Sequence, residues 1–159
     1  MFLGTIEARL DTKGRVFLPA AYRKQFEEAD RDCVIVRRDP NRRCLVIYPQ
    51  QVFRRKAEQL MQRLDCEWNA ADQQLLMEFT AEVEPCDIDT QGRILLSRKT
   101  LQYLQADTCL TFIGMIDRIV VWGSATYAAE RLSAEAFAEQ LNFRMQQPVE
   151  PKSSLDGLK

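Results

Sequence analysis

Histidine is absent from the 159-residue chain, which removes the side chain that most often serves as a general base or a metal ligand. Its five cysteines contain no C-x-x-C pair, so the usual zinc-binding spacings are missing as well; they are Cys33, Cys44, Cys66, Cys86 and Cys109. We expect buried, reduced thiols, no metal site and no cofactor. The sequence also lacks a glycine-rich phosphate loop and a nucleophile elbow, so we expect no catalytic residues and no enzyme.

Long hydrophobic runs are missing too: no stretch could span a bilayer, and the N-terminus lacks the basic-then-apolar pattern of a signal peptide. These absences predict a cytoplasmic protein without a membrane partner. Neither sign of charge is in large excess, because the formal net charge is −1. Positive charge is nevertheless concentrated in residues 1–43, with ten Lys and Arg against seven Asp and Glu. A polyanion would therefore be attracted only to selected faces.

The most informative feature that is present is a five-residue motif that occurs twice, as DTKGR at residues 11–15 and as DTQGR at residues 89–93. Each copy leads directly into an apolar run. The likeness continues downstream, since the strand-like segments at residues 33–36 and 45–48 are matched by segments at 109–112 and 119–122. The chain is therefore predicted to contain two copies of one unit.

Every position of the motif has a physical use in a tight turn. The motif supplies the aspartates Asp11 and Asp89, the glycines Gly14 and Gly92, and the arginines Arg15 and Arg93. An aspartate can accept from the backbone two residues on, and a glycine can adopt the positive φ that a hairpin turn or a glycine bulge requires. The arginine then begins the return strand, where an ion pair with the aspartate would fix its guanidinium.

An arginine fixed in this way suits the recognition of a phosphate or of the edge of guanine. Lys13 adds a point charge at the first turn, whereas Gln91 replaces it at the second. A turn that is only structural would explain the same residues, and both interpretations stay open.

Hydrophobic periodicity and turn residues predict a β-rich α+β chain. We expect helices over residues 20–26, 51–64, 70–79, 99–104 and 126–145, with strands between them. The apolar runs at residues 16–18 and 94–96 lack polar alternation, so both of their faces are expected to be covered.

The chain resembles the MraZ family of bacterial regulators, which is associated with the division and cell-wall gene cluster, over nearly all of residues 1–145. The matching features are Phe2-Leu3-Gly4, residues 10–15 leading to Leu18-Pro19-Ala20, Tyr48-Pro49 before an amphipathic helix, and residues 88–93 followed by residues 119–122. Two departures stand in the second half. The family usually has a proline after the second apolar run and an arginine in the helix that follows. The chain has Ser97-Arg98-Lys99 and Thr100-Leu101-Gln102 at these places.

The resemblance implies two tandem swapped-hairpin repeats of the AbrB/SpoVT type that form a pseudo-dimeric β-barrel with flanking helices. The first repeat with its helix would cover residues 1–67, a helical connection 68–82, the second repeat with its C-terminal helix 83–145, and a disordered tail 146–159. It also implies a nucleoid-associated repressor of its own operon, assembled as an octameric or dodecameric ring on spaced direct repeats of double-stranded DNA. DNA contacts would then come from Lys13, Arg15, Gln91 and Arg93, with Asp11 and Asp89 orienting the arginines.

Two other functions are compatible with the sequence. A protein-interaction scaffold of the same fold would use the arginines only to brace its hairpins. A carboxylate-dependent hydrolase could use Glu82, Glu84 and Asp87, although these residues are more simply explained as a solvated acidic strand.

Overall fold

The computed structural model describes residues 1–150, which divide between a compact unit at Met1–Ala129 and a second unit that begins at Glu130. The first half of the chain contains β1 (Thr5–Arg9), β2 (Arg15–Phe17), α1 (Ala20–Arg23), a 3-10 turn (Glu28–Asp30), β3 (Cys33–Arg38), β4 (Leu45–Tyr48) and α2 (Gln50–Arg63). The second half contains α3 (Ala70–Ala81), β5 (Val83–Asp87), β6 (Arg93–Leu95), α4 (Arg98–Tyr103), β7 (Cys109–Gly114), β8 (Ile119–Gly123), α5 (Ser124–Glu130) and α6 (Ala134–Gln146).

Six of the strands form one antiparallel sheet in the order β1-β7-β8-β4-β3-β5, while β2 and β6 pair with each other. The first strand of each half is exchanged: β1 pairs with β7 of the second half, and β5 pairs with β3 of the first. The two halves therefore cannot separate without breaking the ladders that join them. The fold is mixed α+β.

The predicted closed barrel does not form from these ladders. Within residues 1–150, β1 and β5 remain the two edges of the six-stranded sheet, and the β2–β6 ladder is separate from it. The physical reason is the length of β2 and β6: each has three residues, and their register uses all of them for one another, from Arg15 opposite Leu95 to Phe17 opposite Arg93.

The core lies between the inner face of the six-stranded sheet and the β2–β6 ladder. Its largest fully buried side chains include Tyr22, Phe112, Leu18, Ile47, Ile94, Leu104, Leu110, Ile119, Val16, Val34 and Val121. Burial of one such aliphatic or Phe side chain stabilises the fold by about 1.5–3 kcal/mol. Within one chain, residues 16–18 and 94–96 are covered on one face only, because Phe17 is 51% exposed and Leu95 61% exposed.

The helices begin and end close to the predicted positions, with one exception. The helix expected over residues 126–145 is two helices, α5 and α6, separated by residues 131–133. Ser133 begins α6 as its N-cap: its side-chain oxygen accepts from the backbone N–H of Ala136 at 3.1 Å, and serine is among the strongest N-cap residues. The predicted tail overlaps α6 by one residue, Gln146, and most of it lies outside the described residues.

All five cysteines are free, but only Cys44 is fully buried, so the expectation of buried thiols holds for one of them; the other four are half-buried. Burial raises the pKa of Cys44 to about 12 and that of Cys86 to about 11. These two thiols are therefore protonated at neutral pH, and they contribute to packing as small apolar groups.

Candidate functional site

The two copies of the motif form the same turn. In the first, the backbone N–H of Gly14 donates to the carbonyl of Asp11 at 3.2 Å, and the N–H of Asp11 donates to the carbonyl of Arg15 at 2.9 Å. The equivalent bonds around Asp89 are both 2.9 Å long. Gly14 and Gly92 take φ values of +86° and +87°, which a residue with a side chain adopts only at a cost. The turn chemistry predicted from the sequence is therefore present at both places.

Each aspartate is bonded to both the backbone and the arginine of its own turn. Asp11 Oδ1 accepts from the N–H groups of Lys13 and Arg15 at 2.9 and 2.8 Å, while its Oδ2 accepts from Arg15 Nε at 2.6 Å. In the second turn the bond from Arg93 Nε to Asp89 Oδ2 is 2.8 Å long. The expected ion pairs are thus formed, and each fixes a guanidinium through Nε alone.

These bonds favour the charged form of both carboxylates. The backbone N–H of Arg15, with smaller contributions from its guanidinium and from the N–H of Lys13, lowers the pKa of Asp11 to about 2. The backbone N–H of Arg93 likewise lowers the pKa of Asp89. Both ion pairs therefore persist across the physiological pH range. Among residues 1–150, the terminal Nη groups of Arg15 and Arg93 have no protein acceptor and can bond to a ligand.

The β2–β6 ladder brings the two arginines onto one face. Val16 and Ile94 are opposite each other and point into the core, so Arg15, Phe17, Arg93 and Leu95 all lie on the outer face. In this register each arginine is opposite an exposed apolar side chain, and the Arg93 guanidinium is 5.9 Å from the centre of the Phe17 ring. We call these four residues the ladder face. It presents two ion-paired guanidinium groups, each with free Nη atoms, and two apolar groups to a partner.

Lys13 and Gln91 are both exposed at the tips of their turns. Their backbone N–H groups bond to the aspartates, which leaves both side chains available.

The missing proline after β6 has a local explanation. Where Pro19 begins α1, Ser97 begins α4 by accepting from the N–H of Thr100 at 3.2 Å. The serine caps the helix, so the missing proline does not disturb its start.

The structure adds a residue that the sequence did not indicate. Arg23, on α1 of the first repeat, lies against the second turn: a Cβ placed on Gly92 would be 2.5 Å from its guanidinium. Arg23 Nε donates to the carbonyl of Leu18 at 2.9 Å, and Leu18 N–H donates to the carbonyl of Gly92 at the same distance. The first repeat therefore supplies a positive charge to the turn in which Gln91 replaces a lysine.

The remaining candidates do not converge. Glu82 pairs with Arg38 at 3.6 Å, and no group of three or more Cys, Asp or Glu side chains within residues 1–150 could hold a metal ion. In the same part of the chain, every helix is too short or too polar to cross a membrane.

Comparison with known proteins identifies the family. The family model described as "MraZ protein" matches residues 1–76 and 79–147, which together are almost the whole chain. The chain belongs to the MraZ family. The two matched segments each contain one copy of the motif.

Several curated relatives of this MraZ-family chain carry the name transcriptional regulator MraZ. The one from Bacteroides fragilis is 40% identical over 134 residues, which cover 84% of this chain and 83% of the relative. The one from Phocaeicola vulgatus is 36% identical over 140 residues, covering 88% and 90%. The one from Thioalkalivibrio sulfidiphilus is 30% identical over 159 residues, covering 99% of both chains. The likeness therefore extends over both motif turns and the helices between them.

Proposed function

We propose that this MraZ-family chain is a sequence-specific DNA-binding transcriptional regulator and a repressor of its own division or cell-wall operon. The observation that carries the proposal is the ladder face, on which Arg15 and Arg93 lie together with free Nη groups. Arginine forks of this kind bond phosphate oxygens or the O6 and N7 atoms of guanine. The names of the relatives support the same function.

Each residue of the site has a separate role in this proposal. Arg15 and Arg93 contact bases or phosphates. Asp11 and Asp89 hold these arginines in one orientation. Lys13 and Gln91 contact the DNA backbone from the turn tips. Arg23 supplies a phosphate contact at the second turn. Gly14 and Gly92 adopt the positive φ that the two turns require. Phe17 and Leu95 lie beside the arginines and could pack against a sugar or a thymine methyl group.

We further propose that the chain acts as a homo-oligomeric ring, an octamer or a dodecamer, on spaced direct repeats upstream of its own operon. One ladder face carries few positive charges, and a chain with a net charge of −1 is not attracted to DNA as a whole. Linking several faces in one assembly raises the effective concentration of each, so that weak contacts add up to useful affinity. The protein would then be cytoplasmic and nucleoid-associated.

The exchange of β1 and β5 supports the proposal that each chain is a swapped-hairpin pseudo-dimer of the AbrB/SpoVT type. The repeats would be residues 1–67 and 83–145, joined by the helical segment 68–82. A pseudo-two-fold arrangement of this kind places equivalent turns next to each other, which is what a single continuous contact with DNA requires.

The experiment that tests the function is fluorescence anisotropy on DNA from directly upstream of the gene, with scrambled DNA as the control, over a range of salt concentrations. We expect the upstream DNA to be preferred, with affinity that falls steeply as salt rises. Arg15→Ala and Arg93→Ala should each weaken binding, and the double variant should abolish it. Arg54→Ala, which removes an exposed arginine on α2, should leave binding unchanged.

Light scattering must accompany these measurements, because a lost assembly would also weaken binding. Exposed ion pairs contribute little to stability, so Arg15→Ala should fold and assemble normally. Unchanged binding by the double variant would eliminate the ladder face as the site. Weak, equal binding to both DNAs would instead favour the scaffold, a function with which the turn-internal Asp–Arg pairs are also compatible.

A further inference from the structure

A second cluster of positive charge lies on the outer face of the six-stranded sheet, opposite the core. Four cations surround a pocket of about 260 Å³ between this face, α2 and the end of α3: Arg37, Lys56, Arg63 and Arg118. Tyr48, Phe53 and Phe79 form its floor. We call this cavity the α2 pocket.

Two of the arginines converge on one phenol. Arg37 Nη2 and Arg118 Nη1 donate to the hydroxyl of Tyr48 at 3.1 and 3.3 Å. Their guanidinium carbons also lie 5.7 and 5.2 Å from the centre of the Tyr48 ring. Both side chains are half-buried, so their mutual repulsion is less screened than it would be in water. A neutral hydroxyl cannot balance these two charges.

Carboxylates balance only part of this charge. Asp117 accepts from Arg118 Nε and Nη2 at 2.7 and 3.2 Å and lies 4.0 Å from the Lys56 amine. Arg37 has only neutral partners within residues 1–150: Tyr48, the carbonyl of Arg38 at 3.4 Å, and the Phe79 ring at 5.4 Å. A half-buried guanidinium without an anion is costly, because burial of a charge is offset only by pairing.

The floor of the pocket is apolar. The rings of Phe53 and Phe79 are parallel within 6° with centroids 6.1 Å apart, and Tyr48 lies 5.9 Å from Phe53. Leu60 continues this surface along α2. A ligand that enters the pocket therefore meets several positive charges at one side and a flat, rigid hydrocarbon surface at the other.

We propose that the α2 pocket binds a small organic phosphate. Its phosphate group accepts bonds from Arg37, which has no carboxylate partner among residues 1–150, and from the N–H groups of Arg118 that Asp117 and Tyr48 leave unused. Lys56 and Arg63 add charge at the rim. The apolar or planar part of the ligand packs against Phe53 and Leu60, which gives preference over free inorganic phosphate.

This site is distinct from the ladder face and does not depend on DNA binding. Arg37 is opposite Val83, the first residue of β5, whereas Cys33 is opposite Asp87, the last. The turn at residues 89–93 follows the end of β5, so the pocket and that turn lie at opposite ends of the strand. A ligand in the pocket would not occupy the surface proposed for DNA.

Calorimetric titration of the full-length protein with phenyl phosphate, in a phosphate-free buffer, tests the proposal. We expect one site per chain and at least about tenfold tighter binding than for inorganic phosphate, because only phenyl phosphate also buries a ring. Arg37→Ala should weaken binding about tenfold or more, the loss typical of a charged hydrogen-bonded partner. Arg63→Ala, at the exposed rim, should weaken it less, and Arg54→Ala should have no effect.

Circular dichroism and light scattering on the same variants separate binding from folding and assembly. The proposal is overturned if phenyl phosphate gives no heat at millimolar concentration, or if it binds no better than inorganic phosphate. Equal affinity in folded Arg37→Ala would also overturn it. If the wild type binds no phosphate and Arg37→Ala or Arg63→Ala breaks the assembly, the occupant is a carboxylate of a second copy instead.

Discussion

At the scale of single residues, three glycines share a positive φ but have different neighbours. A Cβ on Gly14 would lie 2.7 Å from the Leu96 carbonyl oxygen, and one on Gly92 would lie 2.5 Å from the Arg23 guanidinium. Gly4, with φ +87°, has nothing within 4 Å of that position. Alanine substitutions at the three sites therefore separate the energetic cost of a positive φ from the cost of a clash between the new Cβ and its neighbours.

We predict that Gly4→Ala lowers the free energy of unfolding by about 1–2 kcal/mol, the cost of the left-handed conformation alone. Gly92→Ala should cost somewhat more, because the Arg23 side chain can move aside. Gly14→Ala should be the most destabilising, because Leu96 is held in place by its backbone bond to the Gly14 carbonyl. Urea unfolding of the three variants measures this order, and equal losses would contradict the role of the contacts.

The low pKa of Asp11 leads to a prediction about pH. Its folded-state pKa of about 2 lies below the ordinary value, so its contribution to stability is complete above about pH 4 and is lost as the pH falls towards 2. Carboxyl NMR titration should find this low value. In Arg15→Ala the pKa of Asp11 should stay depressed in part, because the largest cause is the backbone N–H of residue 15. A full return to the ordinary range would show that the guanidinium dominates.

The sequence predicts the Asp–Arg pairs because all of their determinants lie within five residues. Arg23 could not be found in this way. It follows Pro19 on a short helix, and the residues next to it in the sequence do not indicate a contact with Gly92. The two residues are close only because β2 pairs with β6. A local sequence motif cannot predict a side chain whose role depends on a contact between the two repeats.

At the scale of elements, the start of α2 is fixed from a distance. Pro49, at its N-cap position, has no side-chain bond to offer. The carboxylate of Asp30, which is 3% exposed, accepts instead from the backbone N–H of Gln50 at 2.8 Å. Gln50 in turn donates its amide group to the carbonyls of Ala29 and Cys33 at 2.8 and 3.1 Å. The 3-10 turn and the helix therefore stabilise each other.

We predict that Asp30→Ala lowers the free energy of unfolding by about 1–3 kcal/mol, because it leaves a helix N–H without its acceptor. The matched control is Asp32→Ala, which removes an exposed carboxylate that makes no side-chain bond within the described residues. Its effect should stay within about 0.5 kcal/mol. Similar losses for both variants in urea unfolding would refute the capping role.

The helices were predictable because apolar spacing is a local property, and α2 and α3 begin within one residue of the expected positions. The division of residues 126–145 was missed, because the apolar spacing continues through Leu132 although Ser133 provides a cap. The pairing of β1 with β7 could not be predicted by pattern alone. Those strands are about a hundred residues apart, and alternation within a strand does not specify its partner.

At the scale of the whole molecule, residue differences between the repeats make the two turns unequal. Arg23 of α1 lies against the second turn, while its counterpart Leu101 of α4 lies against the first, 3.6 Å from a Cβ placed on Gly14. The first turn has its own Lys13, and the second has Gln91. Each turn therefore has one positive charge besides its arginine. This charge comes from Lys13 at the first turn and from Arg23 of the first repeat at the second turn.

This arrangement predicts the effect of Arg23→Leu, which places in the first repeat the residue type that the second repeat has at Leu101. We expect weaker binding to upstream DNA and a salt slope reduced by about one, the effect of losing one phosphate contact. Arg23→Lys should retain most of the slope because it keeps the charge, and Arg54→Leu should change nothing. Anisotropy at four or more salt concentrations measures these slopes. If Arg23→Leu binds like the wild type while Arg15→Ala does not, Arg23 only braces Gly92, and the second turn binds through Arg93 alone.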